Sequence, residues 1–113
     1  MSSSGSYQSG DVVWAPDPFR DSGNPRLWLV LVSDGVPYSG EDYICVALTT
    51  SELPANLEVG DAWITGQHPG KTSYCSPWVL ATIKHDDIAN PQGQVTAAFT
   101  DRVRAGCIEY LSD

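Results

Sequence analysis

Apolar and polar positions along this chain predict about five short strands followed by one helix. Val12, Val13 and Trp14 form a first apolar run from near Asp11, ended by Pro16 and Pro18. A polar loop of turn formers, Arg20-Asp-Ser-Gly-Asn-Pro25, leads through Arg26 into an unbroken apolar run, so the second strand is expected over Leu27 to Ser33. Asp34 to Glu41 is a turn-rich connection. Tyr43 to Thr50 is a third strand whose continuous apolar middle predicts cover on both faces. Asp61 to Thr65, carrying Trp63, and Pro77 to Lys84 give two more, with Gly66 to Gly70 as a loop between them. His85 to Ile88 reads as a single helical turn, and Asn90-Pro-Gln-Gly93 as a break in the chain.

Thr96 is the expected N-cap of the helix. Phe99, Val103, Cys107 and Leu111 follow at steps of four, which lays them on one face. Asp101, Arg102, Arg104 and Glu109 fall off that stripe and are expected to face solvent. Residues 1 to 9 are rich in serine and glycine and are expected to be a disordered lead-in to one domain spanning 10 to 113.

With 113 residues there is room for one modest core. No apolar run approaches the length of a membrane span and no signal segment opens the chain, so a cytoplasmic protein is expected. Three cysteines at scattered spacing (Cys45, Cys75 in an expected loop, and Cys107) argue for reduced thiols, and no C-x-x-C pair suggests structural zinc. Net charge changes the picture more. It is −8, with Lys71 and Lys84 the only lysines. Such aspartate excess resembles halophilic composition, and in about 1 M salt, where the Debye length is roughly 3 Å, only local contacts would count. The mean field opposes nucleic acid.

Candidate chemistry centres on Arg26, whose guanidinium can hold two phosphate oxygens at once. The plainer role is an ion pair with Asp17, Asp21 or Asp34. Thr49 offers a hydroxyl at the exit of the third strand, and Asp21 a carboxylate in the loop before Arg26. Phe19 can stack a base, whereas Trp28 belongs to the core. His68, in a Gly/Pro loop, and His85, beside two aspartates, are explained by exposure and local capping. There is no phosphate-binding glycine loop, metalloprotease helix or nucleophile elbow.

Gly10-Asp-Val-Val-Trp14, the polar loop and Arg26 leading into Leu27 to Val32 together resemble the opening of the MazF/PemK (Kid) family. Ile44 to Ser51 is similar to the family's third strand, Ser76 to Ile83 to a later segment, and Gly93 to Leu111 to its closing helix. The resemblance implies a small SH3-like β-barrel with a C-terminal helix. It implies a homodimeric toxin of a type II toxin-antitoxin system, cutting single-stranded mRNA without metal or other cofactor and silenced by an antitoxin. By position, the catalytic arginine and threonine fall on Arg26 and Thr49. Asp21 is the candidate proton acceptor, and Phe19, Arg20, Ser22, Asn24 and Lys71 are the expected RNA contacts. The sequence departs from the family at Leu27, where proline is usual, and in its short 17–25 loop without the usual E-Q element. The alternative is a non-cleaving binder of the same fold, either a CcdB-like gyrase poison or a degenerate binder of RNA or antitoxin.

Overall fold

The computed structural model describes residues 6–19, 24–67 and 70–112. Among the described residues seven strands form one antiparallel, curled sheet: β1 (Asp11–Pro16), β2 (Pro25–Val32), β3 (Asp42–Thr49), β4 (Leu57–Glu58), β5 (Trp63–Thr65), β6 (Tyr74–Lys84) and β7 (Asn90–Val95). Their order across the sheet is β4-β6-β3-β2-β1-β7-β5. One helix, α1 (Ala97–Leu111), closes the chain. The mainly β class with a terminal helix is thus as expected, with seven strands in place of five.

Strand alternation divides the core in two. Val12, Leu29, Leu31, Val46 and Leu48 point to one face, which Phe99, Val103 and Cys107 of α1 cover. Val13, Ala15, Trp28, Val30, Tyr43, Cys45 and Ala47 point to the other, closed by Ile83 with Tyr7, Val79, Ala81 and Ile88. Both faces of β1, β2 and β3 are therefore covered, which is why these strands read as unbroken apolar runs. Each fully buried Val, Leu or Phe contributes roughly 1.5–3 kcal/mol.

Thr96 caps α1 as expected, its Oγ1 accepting from the Phe99 N–H at 3.2 Å. The His85 turn is present as a 3₁₀ turn over His85–Asp87.

Several expectations are corrected. Asn90 to Gly93 is not a break but most of β7, which joins β1 to β5. Pro91 is accommodated there because the β1–β7 register shifts between Val12 and Val13. Cys75 is a buried strand residue of β6, not a loop residue, since β6 begins three positions earlier than expected. Arg104, off the apolar stripe and 36% exposed, also ties α1 to the sheet: it donates to the Leu31 carbonyl at 2.7 Å, to Ser9 Oγ at 2.9 Å and to Asp101 at 2.6 Å. Leu111, at the end of the stripe, is 74% exposed. The lead-in is docked where it is described, with the Tyr7 N–H donating to Tyr43 Oη at 3.1 Å and the Tyr7 ring edge-on to Tyr43.

The β5–β7 crossing has no room for a side chain. A Cβ on Gly93 would collide with the backbone of Thr65 and Gly66, and one on Gly66 (φ +88°) with Gln92 and Gly93. Gly93→Ala is accordingly expected to lower unfolding free energy by about 2 kcal/mol in a urea titration.

All three cysteines are buried and none forms a disulfide. Burial pushes the Cys45 and Cys75 thiols from 9.0 up to about 12. Unfolding therefore releases protons between pH 9 and 12, and thiol linkage lowers stability as pH rises through that window while leaving neutral pH untouched. Cys45→Ala is expected to show a shallower loss of stability across pH 9–12 than wild type, read from unfolding curves at each pH.

Candidate active site

The site stands at one end of the second core face, and strand register builds it. Trp28 lies across from Ala47, and Leu29 from Val46. Continuing that register by two residues brings Arg26 across from Thr49, with both side chains on the face of Trp28 and Ala47. On the other flank Ala15 pairs with Arg26, so Asp17, two residues beyond Ala15, shares the face as well. Three apolar rows (Val13-Ala15, Val30-Trp28 and Cys45-Ala47) thus end in Asp17, Arg26 and Thr49.

Arg26 is held at both edges of its fork. Nη1 donates to Asp17 Oδ2 at 3.1 Å, and Nη2 to the Leu48 carbonyl at 3.0 Å. The guanidinium carbon also stands 5.6 Å from the centre of the Trp28 ring. Trp28 is in turn fixed, its Nε1–H donating to the Ala15 carbonyl at 3.3 Å. The Asp17 carboxylate accepts from the Phe19 N–H at 2.8 Å through its other oxygen. Asp17 is 6% exposed and Arg26 27% exposed, so the arginine faces solvent over its anchored base. Because the carbonyl that holds Arg26 belongs to the residue before Thr49, the guanidinium and the hydroxyl are referenced to the same stretch of β3.

They open on one cleft of about 560 Å³, whose walls include Trp14, Asp17, Asn24, Arg26, Thr49 and Ser73. Thr49 Oγ1 accepts from the Ser51 N–H at 3.1 Å, which leaves its own proton for another acceptor. A cleft with a bidentate cation on one side and a hydroxyl donor on the other suits a phosphate diester.

Arg26, Thr49 and Asn24 are brought together here. Phe19 is 61% exposed, two residues beyond Asp17. Lys71 is exposed, and the cleft wall near it is formed by Ser73 instead. Arg20, Asp21, Ser22 and His68 lie outside the described residues. Asp17, weighed from sequence as one of three ion partners, pairs with Arg26. Ser73 carried no signal beyond its small polar side chain. Among the described residues no cluster of three His, Cys, Asp or Glu side chains is placed to hold a metal ion, and no helix is long and apolar enough to cross a membrane.

No family model matches the sequence, and no curated protein is significantly similar to it. Solved structures are. An endoribonuclease in complex with its cognate antitoxin from a mycobacterial species superposes with a TM-score of 0.71 at 19% identity, covering 95% of this chain and 94% of that one. MazE-MazF from Deinococcus radiodurans gives 0.67 at 17% identity, over 94% and 95%. Mycobacterium tuberculosis toxin MazF-mt6 gives 0.65 at 18%, over 88% and 93%. The chain has the MazF fold. Coverage is nearly complete in both directions, so the likeness extends over most of the chain.

Arg26→Ala removes the ion pair between Arg26 and the buried Asp17 carboxylate. With Arg26 partly open to solvent, the expected cost is about 2 kcal/mol, below that of a fully buried pair. Arg26→Lys, which keeps the charge, is expected to lose under half of that by the same urea titration.

Proposed function

We propose that this protein is the toxin of a type II toxin-antitoxin pair, an endoribonuclease that cuts single-stranded RNA without metal. The observation that carries the reading is the convergence of Arg26 and Thr49 on one cleft, each anchored through β3. The MazF fold, shared with proteins described as endoribonucleases, supports it. In the reaction the ribose 2'-oxygen attacks the adjacent phosphorus, a new P–O2' bond forms and the P–O5' bond breaks. The products are a 2',3'-cyclic phosphate and a 5'-hydroxyl fragment. Negative charge grows on the non-bridging oxygens, where the Arg26 fork and the Thr49 hydroxyl donate hydrogen bonds in place before the reaction begins.

Arginine keeps its proton at any ordinary pH, so the 2'-hydroxyl proton needs another acceptor. Asp21 is our candidate, with the proton delivered to O5' as that bond breaks. Asn24 in the cleft wall is our candidate RNA contact, together with Phe19, Arg20, Ser22 and Lys71. A net charge of −8 makes long-range attraction to RNA weak. Binding then depends on the local cleft and tolerates concentrated salt, as a salt-adapted cytoplasmic protein would require.

An antitoxin partner is part of the proposal, supported by neighbours of the same fold described as antitoxin and MazE complexes. So is a homodimer. Trp78, Ile108, Tyr110 and Leu111 are 40–74% exposed, and the Trp78 and Tyr110 rings meet edge-on at 5.6 Å. That apolar surface on α1 and β6 is the kind a subunit contact covers.

The test is cleavage of a long single-stranded RNA with chelator present, at low and at multimolar salt. Wild type is expected to release discrete fragments ending in a 5'-hydroxyl. Arg26→Lys and Thr49→Ala are each expected to slow this at least a hundredfold while remaining folded. Intact RNA from folded wild type at both salts would overturn the reading.

A further inference from the structure

The chain leaves β3 through residues 50–55, all exposed, before reaching β4. A segment of that kind ordinarily has little to fix it. Here three hydrogen bonds in series tie it to the sheet. Ser76 Oγ, on a buried residue of β6 paired across from Ala47, donates to Asn56 Oδ1 at 2.8 Å. Asn56 Nδ2 donates to the Ser51 carbonyl at 2.9 Å. The Ser51 N–H donates to Thr49 Oγ1 at 3.1 Å. A backbone bond from the Asn56 N–H to the Leu53 carbonyl, 2.9 Å, closes the turn that presents the amide.

The chain of bonds ends on the hydroxyl assigned to the scissile phosphate. A threonine hydroxyl has one proton to give. With one lone pair occupied by the Ser51 N–H, that proton is directed away from the 51 peptide and remains available in the cleft. Released from Asn56, the 51 peptide can rotate, and the hydroxyl loses its fixed orientation. The link needs an amide in particular. Its oxygen accepts from Ser76 and its nitrogen donates to a carbonyl, two opposite demands that a carboxylate of the same shape cannot meet.

We infer that Asn56 is a positioning residue for RNA cleavage, holding the Thr49 hydroxyl as a donor through the Ser51 peptide, with Ser76 as its anchor on the sheet. This rests on the ribonuclease reading above. Asn56 itself does not line the cleft, so its effect should fall on turnover and not on RNA affinity.

Asn56→Asp keeps the shape and the acceptor for Ser76 but removes the donor to Ser51. It is expected to lower kcat about tenfold on a short RNA substrate, with KM within twofold of wild type and a melting temperature within a few degrees. In a Thr49→Ala background, followed with excess enzyme, adding Asn56→Asp should change the residual rate by less than twofold, because the group it acts through is gone. Ser76→Ala, which loosens the anchor alone, should lower kcat about threefold and serves as the test if Asn56→Asp fails to fold. Wild-type kcat in the folded Asn56 variant, or an equal further loss on top of Thr49→Ala, overturns the inference while leaving Arg26 and Thr49 in place. No cleavage by wild type overturns the ribonuclease reading together with the inference.

Discussion

The hydrogen bond from Arg26 to the Leu48 carbonyl depends on the β2–β3 register, and the candidate site depends on both. A slip of one residue would turn Arg26 and Thr49 to opposite faces of the sheet, exchanging each with an apolar neighbour. Burial prevents the slip. Trp28, Val30, Cys45 and Ala47 on one face and Leu29, Leu31, Val46 and Leu48 on the other are all nearly or wholly removed from water. A slip in either direction would carry both sets out of place. The apolar core is therefore what aligns the cation with the hydroxyl, and the ion pair with Asp17 refines a placement already made.

Electrostatics divides into two scales in this molecule. At long range, an excess of carboxylates disfavours a polyanion. At short range, Arg26 stands over a tryptophan face with one buried carboxylate beneath it, and its exposed side opens into the cleft. Asp17 steadies the guanidinium but also tempers its charge, and the backbone carbonyl of Leu48 holds the second nitrogen without adding a further negative group. The arrangement exchanges some attraction for definition.

Sequence alone revealed those parts of the molecule in which local pattern and tertiary role agree. The runs around Trp28 and Val46 are buried on both faces and read so; Thr96 caps the helix by a bond within its own first turn. β7 was hidden because its residues, Asn-Pro-Gln-Gly, are punctuation locally and become strand only through pairing with β1 and β5. The contacts of Arg104 were hidden for a similar reason, its acceptors Leu31 and Ser9 being remote in the chain. Arg26 and Thr49 stood out by type and position, but their common face required a register that no single strand encodes. Asn56 gave no sign at all, since its value lies in bridging Ser51 to Ser76.

The pairing of β1 with β7 has a consequence for the order in which the protein is made. Asp11 meets Gln94, 83 residues later, and Ser9 meets Arg104 after 95. β1 thus waits for β7, and long-range closures of this kind are slow steps in folding. A ribosome must deliver nearly the whole domain before β1 gains its second neighbour and α1 covers the Val12–Val46 face. Until then the nascent chain carries Arg26 and Thr49 but no finished sheet to set them against each other.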